Sequence, residues 1–241
     1  GKTHHGVFDM AYMRIPPNMV VSVPMDENDL RHLLFTGLTG YRPFSIRYPR
    51  GQVQGVPLDK ELHRITHDEG KFLGDLHQSR ICLTAVGPLV GVARQVQQKM
   101  TEETGFQPAV VGIRFVKPIS QDVIRFLSTY DHVVVLEEGT SIGGLMSAIV
   151  QEMCQMSLSL PVFTHISCGD NFIEHGGQSE IRHSLKMDRD GLIEVVRDLY
   201  KEVTNGQHRS RLAAASSNPA RWRGASSAKG EAGGRKQGKS R

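Results

Sequence analysis

Two adjacent imidazoles stand near the start of the chain, in the string Gly1-Lys2-Thr3-His4-His5-Gly6-Val7-Phe8-Asp9. An imidazole titrates near neutral pH, so it can donate to a carbonyl or alkoxide oxygen and shuttle a proton. The competing reading of His4 is a helix-capping or buried, hydrogen-bonded histidine. Arg50 is the second candidate. It follows the strand-like string Phe44-Ser45-Ile46-Arg47-Tyr48-Pro49 and precedes Gly51. That puts it at the carboxyl end of a strand, where α/β sheets hold their ligands. A guanidinium there can grip a phosphate with two parallel hydrogen bonds, and the alternative is a surface salt bridge. Strand alternation points Arg47 away from the side of Ile46 and Tyr48, which makes Arg50 rather than Arg47 the expected anion contact.

Glu137 and Glu138 end an apolar run. Paired carboxylates can form an acid/base couple, or they can be structural. Gly139, Gly143 and Gly144 fit neither a dinucleotide-binding glycine pattern nor a phosphate loop, so close helix packing is expected of them. His63, His67 and His77 are loosely spaced, and Cys82, Cys154 and Cys168 contain no CxxC or metal-ligand spacing. No metal site is expected from these patterns. An odd number of distant cysteines suits a reducing compartment.

Positioning such residues needs a core. The chain has 241 residues and is 39% hydrophobic, enough for one or two domains. Its net charge is +4, but residues 206–241 alone carry nine Lys/Arg against Glu231, or +8, which leaves −4 for residues 1–205. The basic tail, rich in Ala, Ser and Gly, cannot bury enough apolar surface to offset its ordering entropy and reads as disordered. A solvated extension is expected of it. Its charge and Trp222 are too little for specific nucleic-acid recognition. No apolar run approaches the ~18 residues of a membrane span, and the N-terminus has no leader pattern.

Residues 18–23 read as a strand, followed by a helix capped by Asp26 with Leu30, Leu33 and Leu34 on its inner face. Residues 44–48 form a second strand, paired in parallel with the first. Residues 52–79 read as a linker between domains, with a hairpin around Gly70. From Arg80 strands and helices alternate: strands over 81–86, 109–113, 132–136 and 162–166, and helices over 89–103, from Ser120, over 143–156, near 177–185 and over 189–203. The pattern predicts an α/β fold with a mostly parallel sheet. The expected organisation is an incomplete domain over 1–51, a linker over 52–79, a complete domain over 80–204 and a tail over 205–241.

Four strings occur in an order that resembles one family. They are Thr3-His4-x-Gly6-x-Phe8-Asp9, Arg47-Tyr48-Pro49-Arg50-Gly51, Glu137-Glu138 with Gly143-Gly144, and Asp170-x-Phe172-Ile173-x-His175-Gly176. Together with Arg114-Phe115-Val116-Lys117-Pro118 they resemble the 1-deoxy-D-xylulose-5-phosphate synthases, thiamine-diphosphate enzymes of the transketolase superfamily. The resemblance runs from Gly1 to about Lys201. It covers the last part of a pyrimidine-binding domain and a whole transketolase C-terminal-like domain.

The resemblance implies transfer of a two-carbon unit from pyruvate to glyceraldehyde 3-phosphate with release of CO2. The product is a precursor of isoprenoids, thiamine and pyridoxal. It also implies thiamine diphosphate and Mg²⁺ as cofactors, a homodimer, and a location in bacterial cytoplasm or a plastid. By resemblance His4 contacts substrate and is the catalytic candidate, Arg50 binds the triose phosphate, Thr3 and Asp9 support the loop, and the Glu137-Glu138 segment is structural. The sequence departs from the family at His5, where Gln or Asn is common. It has no Gly-Asp-Gly…Asn motif for metal and diphosphate, and the family's activating glutamate would lie upstream of Gly1. The chain therefore reads as the back part of a larger enzyme, inactive alone. The alternatives are a subunit of a split transketolase-like enzyme, or a non-catalytic dimerisation module with a basic tail.

Overall fold

Short β-branched runs set the first sheet. In the computed structural model, which describes residues 4–66, 71–73 and 79–204, Val20–Ser22 (β1) and Phe44–Ile46 (β2) pair in parallel, Val20 opposite Phe44. The helix Asp9–Met13 (α1) precedes them. The crossover helix is Glu27–Leu38 (α2), and the Asp26 side chain accepts from the Asp29 N–H as its N-cap. The predicted leucine face is only partly correct. Leu33 is buried, but Leu34 is 51% exposed, and Asp29, His32 and Thr36 take the inner face. These polar groups are satisfied by what they cover. Asp29 accepts from Arg114 at 2.8 Å and from the Met25 N–H, and the Thr36 hydroxyl accepts from the Ile65 N–H at 2.9 Å.

The second sheet contains Lys71–Leu73 (β3), Ile81–Val86 (β4), Ala109–Ile113 (β5), His132–Leu136 (β7) and Val162–Ile166 (β8), in the order β3-β5-β4-β7-β8. β5, β4, β7 and β8 are parallel, and β3 joins the edge antiparallel to β5. β4, β5 and β7 are buried along their whole length, which is why they read as continuous apolar runs rather than alternating ones. Helices Leu89–Thr104 (α3), Gln121–Leu127 (α4), Leu145–Gln155 (α5), Gln178–Ser184 (α6) and Arg189–Thr204 (α7) complete the alternation. The predicted inner faces hold: Val90, Ala93, Val96 and Met100 on α3, and Val123, Ile124 and Leu127 on α4, are buried. Gly105, at φ +69°, closes α3 in the left-handed conformation that glycine adopts without strain.

One strand was not expected. Phe115–Lys117 (β6) leaves β5 after a single residue, Arg114, and pairs antiparallel with β1 in the first sheet. The two sheets are thus stitched by one continuous chain, and the Arg114 carbonyl accepts from the Val23 N–H at 2.7 Å. Met10, Val21 and Val23 pack in the same core cluster as Cys82, Val111 and Val135. The stretch 52–79, read as linker, is corrected in two ways. It contains β3, and its residues 54–65 lie along α2, with Ile65 buried. The expected hairpin at Gly70 and the basic tail 205–241 lie outside the described residues. Among the described residues no helix is long and apolar enough to cross a membrane.

Candidate active site

The carboxyl ends of β2 and β7 open on one cleft of about 730 Å³. The loop of His4 to Val7 forms one wall, Tyr48 to Gly51 a second, and Ile181 and Arg182 of α6, with Leu185 just after it, a third. His4 is exposed at its mouth. Its neighbour is tied down: His5 Nε2 donates to the Ile173 carbonyl at 2.6 Å, and the ring meets Phe8 and Phe172 at centroid distances of 6.0 and 5.7 Å. His5 Nδ1 is buried and has no partner among the described residues. Both imidazoles line the cleft; His5 is tied into the loop, and His4 is the exposed one.

A chain of charges crosses the cleft floor. Asp9 Oδ1 lies 3.3 Å from Arg47 Nε, and Asp9 also accepts from the Met10 N–H at 2.7 Å. Arg47 Nη2 donates to the Glu138 carbonyl at 2.8 Å, and its Nη1 is 3.9 Å from the Glu138 carboxylate. Arg182 Nε donates to Glu138 Oε1 at 2.5 Å. The expectation that Arg47 points away from the site is corrected here. β2 ends at Ile46, so alternation no longer governs the next side chain, and Arg47 turns inward between two carboxylates. Arg50 is exposed, lines this cleft and an adjoining one of about 490 Å³, and its guanidinium has no hydrogen-bond or ion-pair partner among the described residues. Thr3 lies outside the described residues.

Arg182 was not singled out; its only signal was a basic residue beside Ile181 on an amphipathic stretch, and nothing local links it to Glu138. The paired-acid reading separates into two roles. Glu137 is fully buried; its carboxylate accepts from the Leu145 and Met146 N–H groups at 2.7 and 3.1 Å and pairs with His165 Nε2 at 2.8 Å. It caps the N-terminus of α5, where a negative charge is favoured. A Cβ on Gly144 would fall 2.1 Å from Glu137 Oε2, and one on Gly139 2.9 Å, so the glycines make room for this carboxylate. Cys168 also borders the cleft, and burial, with Glu138 nearby, pushes its thiol up to about 11.

The transketolase C-terminal domain family matches residues 70–192, and the transketolase pyrimidine-binding domain family matches residues 1–55. The chain belongs to the transketolase family. Among curated relatives of this transketolase-family chain, the 1-deoxy-D-xylulose-5-phosphate synthase of Dehalococcoides mccartyi is 35% identical over 210 residues, covering 86% of this chain and 33% of that protein. The enzyme of the same name from Aquifex aeolicus is 38% identical over 205 residues, covering 83% and 31%. The chain thus spans about a third of the length of the curated relatives it matches. A solved split-gene transketolase, described as an inactive β4 tetramer, superposes with a TM-score of 0.69 at 24% identity, covering 82% of this chain and 62% of that one. A transketolase from Pichia stipitis gives 0.56 at 18%, covering 82% and 27%. At these identities the two structures bear on the fold alone.

Proposed function

We propose that this chain supplies the substrate side of a 1-deoxy-D-xylulose-5-phosphate synthase active site. The complete enzyme condenses pyruvate with glyceraldehyde 3-phosphate and releases CO2. The observation that carries the reading is the cleft in which His4 and Arg50 meet, built from the two segments that match the family in order. Arg47 and Arg182 are each engaged by carboxylates, while Arg50 is unengaged among the described residues and suits an incoming phosphate. In this reading His4 donates a hydrogen bond to a substrate hydroxyl or carbonyl and can exchange a proton there. Asp9 and Glu138 hold Arg47 as a fixed wall of the cleft.

In this reading the Mg²⁺ and diphosphate of the cofactor are held by residues other than the described ones. Among the described residues one group of three metal-ligating side chains comes together, and it does not line this cleft. Its imidazoles also suit borderline transition metals better than Mg²⁺. No step is therefore derived through the cofactor, and we assign its cradle to residues outside this chain. The homodimer and the inactivity of the chain alone are parts of the same proposal. Calorimetry of the chain with thiamine diphosphate and Mg²⁺ is expected to be flat, with no product from pyruvate and glyceraldehyde 3-phosphate. Adding the preceding portion of a relative is expected to restore both. Tight cofactor binding by the chain alone would contradict the proposal.

A further inference from the structure

We propose that His32, Asp59 and His63 form a binding site for a borderline divalent cation of the Zn²⁺ class, clipping residues 54–65 onto α2. One ligand atom from each residue lies within 4.8 Å of the other two. Two imidazoles and a carboxylate are a donor set for Zn²⁺ or Co²⁺ rather than for Mg²⁺ or Ca²⁺, which prefer all-oxygen sites. Three protein ligands leave a fourth position for water, and Asp59 and His63 are both exposed, so an ion can enter. The sequence hid the group because His32 sits on α2 and the other two on the segment that returns along it.

The surrounding contacts already hold the ligands close to this arrangement. His32 is 2% exposed, and its Nε2 is 2.8 Å from Asp59 Oδ2. Asn28 Nδ2 donates to the same carboxylate at 2.9 Å, and Arg31 donates to the Asp59 carbonyl at 2.9 Å. The His63 ring lies against His32, tilted by 35° with centroids 3.7 Å apart, and its ring nitrogens have no hydrogen-bond partner among the described residues. The geometry also fixes the proton. His32 Nδ1 accepts from the His63 backbone N–H at 3.3 Å, so the neutral ring carries its hydrogen on Nε2 and donates it to Asp59. A cation on Nε2 takes the place of that hydrogen, and the neutral ring then carries its proton on Nδ1. The long His63 N–H contact must open, which the irregular segment around it permits. The ion thus replaces a His–Asp hydrogen bond with two coordinate bonds and adds His63.

The test is titration of the full chain with ZnCl2 by calorimetry and thermal unfolding, beside Co²⁺ spectra. The proposal expects one saturable Zn²⁺ per chain, a raised melting temperature and a visible Co²⁺ band of tetrahedral intensity. His63→Ala and Asp59→Asn change exposed side chains and are expected to fold, yet to weaken binding about tenfold or more. Nitrogen NMR of the His32 ring is expected to show its hydrogen moving from Nε2 to Nδ1 on loading. Absence of saturable binding, or Zn²⁺ binding that both variants retain at full strength, would overturn the proposal. Other histidines and cysteines would then be the ligands.

Discussion

Arg47 and Arg50 are three residues apart and live in opposite surroundings. Arg47 is held between Asp9 and Glu138, whereas Arg50 stands at the junction of two clefts. A guanidinium that already has two carboxylate partners gives up those contacts to bind an anion, and an unengaged one does not. The position of Arg50 beside the cleft was legible in the sequence because a guanidinium at a strand's carboxyl end is a local pattern. Arg47 was misread because alternation was carried one residue past the end of β2. Glu138 and Arg182 are 44 residues apart in the chain, and such a pairing leaves no local trace. The cysteines yield a residue-scale prediction. Burial pushes Cys82 up to about 12 and Cys168 up to about 11, while Cys154 is exposed. At pH 8 only about 1 in 1,000 Cys168 side chains is thiolate. A thiol reagent is expected to modify Cys154 fast and the other two slowly, with Cys168 speeding up as the pH climbs toward 11. Equal rates for all three in the folded protein would contradict the assignment.

At the scale of elements, the sequence showed most helices and strands because their apolar faces are regular. It misjudged α2, where Asp29, His32 and Thr36 take inward positions to serve Met25, Arg114 and residues 59–65. A periodicity argument cannot see partners that are themselves irregular. The junction of β7 and α5 carries the sharpest element-scale test. Glu137→Ala removes the acceptor for two helix N–H groups and the partner of His165, and is expected to cost at least about 1–3 kcal/mol in urea unfolding. Gly144→Ala forces a methyl into the same carboxylate, at a cost of about 1–3 kcal/mol. Wild-type midpoints for both would mean that Glu137 is not the cap of α5. Where α6 meets α7, Asp188 accepts from His183 and raises its pKa above 6.5, and Asp188 itself is lowered below 3.8. The pair therefore helps folding between those limits. It is lost as pH falls through the folded pKa of Asp188 or rises through that of His183. An NMR titration of His183 should show a midpoint above 6.5 that falls in Asp188→Asn; an unchanged midpoint would refute the pairing.

At the scale of the whole molecule, β6 joins the two sheets, and Met10, Val21 and Val23 share a core with β4, β5 and β7. Residues 80–204 therefore lack both the β3 edge and the strand against which β6 is paired. Limited proteolysis is expected to leave a resistant core that begins before Val20 and ends near Lys201. A stable product starting near Arg80 would show that the first sheet is dispensable. The cleft exists only because of this union: His4 and Arg50 come from the first part, and Glu138 and Arg182 from the second. We propose that this shared cleft takes a phosphorylated triose on Arg50, and steady-state kinetics of Arg50→Ala in the reconstituted enzyme are the decisive check. Losing a charge-assisted contact of about 1.5–3 kcal/mol raises the KM for glyceraldehyde 3-phosphate roughly ten- to a hundredfold and leaves that for pyruvate, which has no phosphate, nearly unchanged. Arg50→Lys recovers only part, because a point charge lacks the two-pronged fork. If both Michaelis constants move together, Arg50 supports the fold and the phosphate binds elsewhere.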